Sequence, residues 1–471
     1  MSGIGALGSR PRVVVLGGGA AGTLTAVHLI RELDGGEAEI VLLDRDGQFG
    51  PGLAYGTDDP LHLLNVAAVR MGGISGDPAD FHGWLTRTGR EAAPEEFLPR
   101  RVYGHYLREL LDDAEAGAGS GVRLVRLRAE AVSLAEPSEL GGLLEVTLAG
   151  GERIEADLAV LGIGTLAGRD PVPVPDELRA AGVYVPDPWA PGALEVPRGD
   201  RSVLVIGTGL TMVDVALSLG RDPRGPALRA ISRHGLVPRR HRRDLTRIEQ
   251  PPSLESGGLE AAVAAFVERV GQAGAQGRDW RDVLDSMRAS TPELWRSLPA
   301  AEKRRFLAHL QRLWDVHRFR MAPAVADRFE ELRETGRLRI DSCSVVAIEA
   351  GETGARVSLR AVGHERPEEI EVDRVINCTG AGSDVTRRGP QLVASLLAAG
   401  IARPDELRLG LDVDREGRLI DSAGEASERI YVVGGLRKGV EWEATGVTEI
   451  RDQAGAVARS WAASDARLVR R

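Results

Sequence analysis

At 471 residues the chain is too long for one ordinary hydrophobic core and suits two or three domains, and its 43% hydrophobic and 27% charged composition is that of a globular protein. A net charge of -9 argues against non-specific nucleic-acid binding, which needs a cationic excess to neutralise phosphates. No segment reaches the roughly 18 apolar residues of a membrane helix, and the opening Met1-Ser2-Gly3-Ile4-Gly5-Ala6-Leu7-Gly8-Ser9-Arg10 lacks the basic start and apolar stretch of a secretory signal, so the expected location is cytoplasmic.

The first predicted element is the strand Arg12-Val13-Val14-Val15-Leu16, which runs into Gly17-Gly18-Gly19-Ala20-Ala21-Gly22. In such a turn Gly17 permits the sharp reversal, Gly19 lets backbone approach a pyrophosphate, and Gly22 lets helix and strand pack closely. A helix from Thr23 to Leu33 would then present its N-terminal amides, Ala21 among them, to phosphate. After Asp34-Gly35-Gly36 comes a second strand, Glu39 to Leu43, ending at Asp44. Asp44 stands close to the roughly 20-residue spacing expected of an acid that accepts hydrogen bonds from a ribose. The alternative is a glycine loop packed in a sheet, with Asp44 a solvated carboxylate.

A fingerprint with a ribose acid accommodates NAD or FAD, and later segments favour FAD. Gly47-Gln48-Phe49-Gly50-Pro51-Gly52-Leu53-Ala54-Tyr55-Gly56 is a glycine-rich loop, where Gly50 and Gly52 allow close approach to an elongated flavin. Near the C-terminus, Arg429 to Gly435 reads as a strand ending in Gly434-Gly435, followed by Trp442-Glu443-Ala444-Thr445 and a helix to about Ala463. The N-terminal amides of that helix, beginning beside Thr445, suit the pyrimidine edge of a reduced flavin.

Between these ends the pattern repeats. Strands Val122 to Leu127, Leu144 to Leu148 and Arg153 to Ala156 lead to the apolar run Asp157 to Gly164. A second turn, Gly207-Thr208-Gly209-Leu210-Thr211-Met212, then follows the strand Ser202 to Ile206. Met212 stands where the third glycine would be, which should set helix and strand further apart. The next strand, Ala227 to Ile231, ends in Ser232-Arg233-His234 without an acid. Arg233 could grip a 2'-phosphate, helped by Arg239, Arg240, His241, Arg242 and Arg243, which favours NADPH over NADH. Solvated loop arginines are the alternative. Leu254 to Phe329 is helical in pattern, with a His317-Arg318-Phe319-Arg320 cluster that either faces an anionic substrate or lies on a solvated helix. Strands Leu338 to Ile340, Ala355 to Leu359 and Glu369 to Val372 precede a closing run, Asp373 to Gly380.

The expected fold is therefore α/β, with two Rossmann-like dinucleotide-binding domains, small antiparallel inserts and a helical insertion at about 254–329. A discontinuous FAD domain would span 1–165 and 379–471, and an NAD(P) domain 166–378.

On these residues the sequence resembles the two-domain FAD and NAD(P) flavoproteins, specifically bacterial FAD/NAD(P)-binding proteins similar to class B flavin monooxygenases and amino-acid N-hydroxylases. The carriers are Gly50-Pro51-Gly52-Leu53-Ala54-Tyr55, His62-Leu63-Leu64-Asn65-Val66, Leu98-Pro99-Arg100-Arg101-Val102-Tyr103-Gly104, Gly207 to Asp214, and Glu449-Ile450-Arg451-Asp452-Gln453-Ala454. The resemblance implies an FAD-dependent, NADPH-consuming monooxygenase that N-hydroxylates an amine or amino acid through a C4a-peroxyflavin. It implies cofactor contacts at Arg101 and at the two turns. Asn65 is the candidate polar group beside the flavin C4a edge and the nicotinamide, with Tyr55 and Tyr103 as further candidates; a loop amide capping backbone is the alternative for Asn65. Two departures stand out: Gly434-Gly435 replaces a common Gly-Asp pair, and no FxGxxxH signature is present.

Three other readings stay open. An NADPH-dependent flavin reductase or dehydrogenase needs the same two sites and differs only in acceptor. A redox sensor would hold FAD without turnover. A thiol-based reductase needs a reactive cysteine, yet the two cysteines, Cys343 and Cys378, form no CxxC pair. A homo-oligomer is compatible with the sequence.

Overall fold

The computed structural model describes residues 10–468 except 138–141, 167, 196–198, 200, 243–256, 381 and 383. In chain order, β1 (Arg12–Leu16), β2 (Ala38–Asp44) and β3 (Val122–Arg128) are followed by a meander of β4 (Ala131–Ala135), β5 (Leu144–Leu148) and β6 (Arg153–Ala156), then by β7 (Leu158–Leu161). The plan then repeats with β8 (Tyr184–Val185), β9 (Ser202–Ile206), β10 (Ala227–Ser232), β11 (Leu338–Ala350), β12 (Ala355–Ala361), β13 (Glu368–Val372) and β14 (Arg374–Asn377). The chain ends with β15 (Arg418–Ile420), β16 (Ala426–Val432) and the helix Val447–Leu468.

The first sheet has the order β15-β16-β7-β1-β2-β3, parallel except for β15. Its inner strands are apolar on both faces because both are covered. Val13 and Val15 meet one layer, containing the helices Ala20–Glu32, Arg100–Ala116 and Val447–Leu468. Val14 and Leu16 meet the other, made by the meander and the helix Gln391–Ala398. Alternation along a strand sends neighbouring side chains to opposite faces, so a continuous valine run is what two-sided burial requires. Because β16 pairs with β7, the C-terminal chain returns to the sheet that the N-terminus starts.

The second sheet runs β13-β12-β11-β10-β9-β14-β8. The two modules differ in how they build their antiparallel part. Val122 to Leu127 was expected to belong to an antiparallel insert, but β3 pairs parallel with β2, and the meander begins only at β4, a strand the sequence pattern did not single out. In the second module one strand does both jobs. Leu338 to Ser342 pairs parallel with β10, and from Cys343 onward β11 runs antiparallel to β12, so the expected Leu338 to Ile340 strand is only its first part.

Helices from Gly258 to Glu334 form the expected insertion. One end packs on the second sheet: Val325 and Phe329 share a core with Met212 and Leu217. The other end packs on the C-terminal segment, where Trp295 stacks at 4.8 Å on Trp442 and donates its indole N–H to the Gly439 carbonyl at 2.8 Å. Among the described residues no helix is long and apolar enough to cross a membrane.

Candidate functional site: two glycine turns and the segments between them

At the first turn Gly17 has φ +111°, and a Cβ there would lie 2.5 Å from the Gly162 carbonyl oxygen. A Cβ at Gly22 would sit inside the Gly17 carbonyl, so only glycine lets this helix approach its strand. The Asp44 carboxylate accepts from the Gly18 amide at 3.2 Å and from the Asp46 and Gln48 amides at 2.9 and 3.0 Å. It is thereby fixed beside the turn rather than swinging in solvent. Gly50 donates to the Gly18 carbonyl at 2.9 Å, and a Cβ on Gly52 would lie 2.9 Å from Gly19 Cα, so the second glycine loop lies directly against the first. The helix that follows, Ala20–Glu32, has no side-chain cap at Gly19 and no acid in its first turn. Its first amides and its positive dipole end are left for an anion.

Beside the start of this helix Gly434 has φ +87°, and a Cβ on it would lie 3.4 Å from the Ala21 side chain. Its amide donates to Gln453 Oε1 at 2.8 Å, and Gln453 Nε2 donates to Glu441 Oε2 at 2.7 Å. A Cβ at Gly435 would come 2.8 Å from Thr165 Cγ2, which explains why no aspartate side chain stands in this Gly-Gly pair. The chain then turns at buried Trp442, a non-glycine residue with φ 60° and ψ -62°, closed by Glu443 N–H donating to the Glu441 carbonyl at 2.7 Å. That is a γ-turn in a strained region of backbone space. Thr445 is exposed just before the helix Val447–Leu468. Unlike the two nucleotide helices, this helix carries an acid in its first turn. Glu449 lies there, accepts from Arg288 Nε and Nη2 at 2.6 and 2.8 Å, and would meet any Cβ at Gly446. Burial opposes ionisation of Glu449, but the Arg288 bonds and charge hold its carboxyl below the usual value.

Tyr55 packs edge-on against Tyr103 with ring centres 4.7 Å apart. Burial pushes its phenol well above the ordinary value, with Arg100 pulling the other way, so it is a neutral group and no base. Asn65 is half-buried, and its side-chain amide makes no hydrogen bond among the described residues. Its main-chain carbonyl accepts from His241 Nε2 at 2.9 Å. Arg101 is exposed in the first turn of the helix Arg100–Ala116 and reaches the Asp58 carbonyl at 3.5 Å.

The second turn repeats the backbone of the first. Gly207 also has φ +111° and backs onto the Cys378 carbonyl as Gly17 backs onto Gly162. Gly209 caps the helix Leu210–Leu219, opened by Leu210 and Thr211, with no side-chain cap and no first-turn acid. Met212 is fully buried, and the Val213 amide reaches the Gly209 carbonyl at 3.2 Å where its counterpart, Thr23 to Gly19, spans 2.9 Å. Ser232 Oγ lies 2.8 Å from Thr208 Oγ1 and accepts from the Gly235 amide at 3.0 Å, tying the end of β10 to the turn. Arg233 is exposed, and its guanidinium has no partner among the described residues.

Of its expected helpers, Arg239 is exposed and, like Arg233, has no side-chain partner among the described residues, and the other described ones are engaged. Arg240 pairs with Asp327 at 2.5 Å and Arg242 with Asp282 at 3.5 Å, while His241 points inward to Asn65; Arg243 lies outside the described residues. The His317 to Arg320 cluster is neither a solvated face nor an open anion site. Arg318 holds Glu443 through two bonds of 2.8 and 2.9 Å and so clamps the insertion to the C-terminal segment, while Arg320 pairs with Asp285 inside the insertion. Burial pushes the thiols of Cys343 and Cys378 up, leaving neither as a ready thiolate.

Two uncapped glycine turns in one chain, each backing onto the residue after the closing strand in the parallel part of its own sheet, define a paired dinucleotide-binding α/β fold. Comparison with known proteins agrees. Residues 14–166 match the sequence pattern of the FAD-NAD(P)-binding family. The chain is similar in structure to the ornithine N-hydroxylase of Kutzneria sp. 744, solved with reduced FAD, NADP+ and L-ornithine: TM-score 0.67, 17% identity, 97% of this chain and 100% of that one covered. It is likewise similar to L-lysine 6-monooxygenase from Pseudomonas syringae, with TM-score 0.65, 18% identity and coverage of 96% and 99%. Thioredoxin reductase of T. acidophilum aligns less well, with TM-score 0.53 and 14% identity over 96% of this chain and 98% of that one. No curated protein matches the chain by sequence.

Proposed function

We propose that the protein is an FAD-dependent, NADPH-consuming monooxygenase that N-hydroxylates an amine or amino acid. The observation that carries this reading is the duplication of an anion-ready turn: Gly17 and Gly207 share φ +111°, and both following helices start uncapped. The fold similarity to N-hydroxylases supports the choice of chemistry. A bound flavin would supply hydride acceptance from NADPH and activation of dioxygen.

The chain's own residues fit those two nucleotides. Gly17, Gly19, Ala21, Gly22, Gly50 and Gly52 offer backbone to the FAD diphosphate, and Asp44, already fixed by three amide donors, faces its ribose. Gly434 joins them next to Ala21, with Thr445 further along the chain and exposed Arg101. At the second turn Gly207, Gly209, Leu210 and Thr211 take the NADPH diphosphate, and Ser232 and Arg233 take the ribose 2'-phosphate, Arg233 having no partner among the described residues. Asn65 offers an uncommitted amide to the nicotinamide and the reacting edge of the flavin, with Tyr55 as a neutral neighbour. The domain boundaries we propose are 1–165 and 379–471 for FAD and 166–378 for NADPH, with the insertion at about 254–329.

A reductase without oxygen transfer is the second reading, since thioredoxin reductase shares the fold. Both cysteines are buried, which disfavours its thiol-based form. The test is NADPH-driven turnover in air with a panel of amino acids, diamines and monoamines. Products gaining one oxygen atom support N-hydroxylation. Electron delivery to quinones or dyes with no oxygenated product contradicts it.

A further inference from the structure

The segment carrying Asn65 belongs to the first module by sequence, yet it is stitched to the second at two places. At the first, His62 Nε2 lies 2.9 Å from Ser218 Oγ on the second nucleotide helix, and that hydroxyl donates to Asp59 Oδ2 at 2.6 Å. Ser218 has spent its proton on Asp59, so it accepts from His62 Nε2–H, and His62 Nδ1 accepts from the Thr57 hydroxyl at 2.7 Å. Arg100, whose backbone amide donates to the His62 carbonyl at 2.8 Å, pairs with buried Asp214 on the same helix at 2.8 Å. At the second place, His241 donates to the Asn65 carbonyl across 176 residues of chain.

His241 is itself held rigidly. Its amide donates to the Met321 carbonyl at 2.8 Å, and the Met321 amide donates to the Arg239 carbonyl at 2.8 Å. Its ring lies 5.0 Å from Phe97, the residue before Leu98, whose carbonyl receives the Leu64 amide at 2.8 Å. A carbonyl only accepts, so Nε2 carries the proton. Burial, with the charges of Arg320, Arg318 and Arg281, lowers the imidazole pKa to about 3, and it stays a neutral donor.

We propose that His241 is a positioning residue that fixes Asn65 from the second module, so that the amide serving the reaction is aimed by the same body that holds NADPH. This rests on the reading of Asn65 given above. A loop carbonyl is caught by a neutral ring donor, and the loop's preceding turn is anchored to the helix that follows Gly209. Leu64 and Ala68 on either side pack in the first module's core, so Asn65 is held between the two modules, with its carbonyl tied to the second.

Three flavin-loaded variants test it: His241→Ala, His241→Gln, whose amide can still donate, and the double variant Asn65→Ala/His241→Ala. His241→Ala should lower kcat about 10-fold or more with NADPH KM changed less than about 3-fold, and His241→Gln should recover most of that loss. Against Asn65→Ala as background, adding His241→Ala should cost little further, because coupled residues are not additive. Amide hydrogen exchange over residues 62–68 should quicken in His241→Ala and be restored in His241→Gln. Additive losses in the cycle, or unchanged exchange and kcat in His241→Ala, overturn the proposal. If wild-type protein makes no oxygenated product, the functional reading fails by itself, and exchange over 62–68 together with the rate of flavin reduction by NADPH still decides whether His241 fixes the loop.

Discussion

The first turn carries Gly22 where the second carries Met212, and the first is followed by an acid locked to three amides where the second is followed by a serine and an arginine without an acid partner among the described residues. The shared parts, a φ +111° glycine and an uncapped helix start, are what any dinucleotide diphosphate needs. The parts that differ are those that would meet a ribose under the proposed function. A carboxylate accepts from two hydroxyls, whereas a guanidinium suits a phosphate on one of them. The contrast teaches that the two modules share a backbone device and differ at the strand ends, where the proposed function puts specificity, at Asp44 and Arg233.

Exchanging the features breaks or sharpens this contrast. The largest effect belongs to Gly22→Met, which imposes the second module's residue on the first. A Cβ there collides with the Gly17 carbonyl, so thermal melts should show a loss on the order of 3 kcal/mol or more and no retained flavin. Met212→Ala, which fills no such gap and opens a cavity, should cost about 2–5 kcal/mol in the same melts while flavin is kept. Asp44→Ala should weaken FAD about 100-fold in a fluorescence titration, since the ribose acid and the organiser of the 44–48 turn are lost together. Arg233→Ala should raise the NADPH KM about 10-fold and leave NADH unchanged.

The smallest effect is on acid stability. His28, His62 and His241 all have folded values below 6.5, burial being the main cause. The unfolded chain therefore binds more protons below pH 6.5, and stability present above that value falls as pH drops toward about 3, where His241 itself titrates. His241→Gln should flatten that fall in pH-dependent denaturant melts. A slope equal to wild type would contradict the burial assigned to this ring.

Local patterns were readable along the chain. A valine run ending in glycines can only be a buried strand entering a turn, and the spacing to Asp44 follows from one helix and one strand of ordinary length. Short strands after a reversal were not: Ala131 to Ala135 continues the apolar rhythm of the strand before it, so the change of sheet leaves no mark in composition. Partnerships over long separations were equally silent. Arg318 finds Glu443 125 residues away, and an arginine run reads as a phosphate cradle until its acids are seen. His241 stood in that run for the same reason, although its contact is Asn65. In an arginine-rich chain the sequence does not separate cations that find an acid from those, such as Arg233, that have none among the described residues.

The account's central claim, that the first turn holds the hydride acceptor and the second the donor, is tested most directly by anaerobic mixing of the FAD-loaded protein with NADPH or NADH while the visible flavin absorbance is followed. Bleaching that is faster with NADPH, and that loses this preference in Arg233→Ala, is the predicted result. A flavin that stays oxidised with both coenzymes would contradict it.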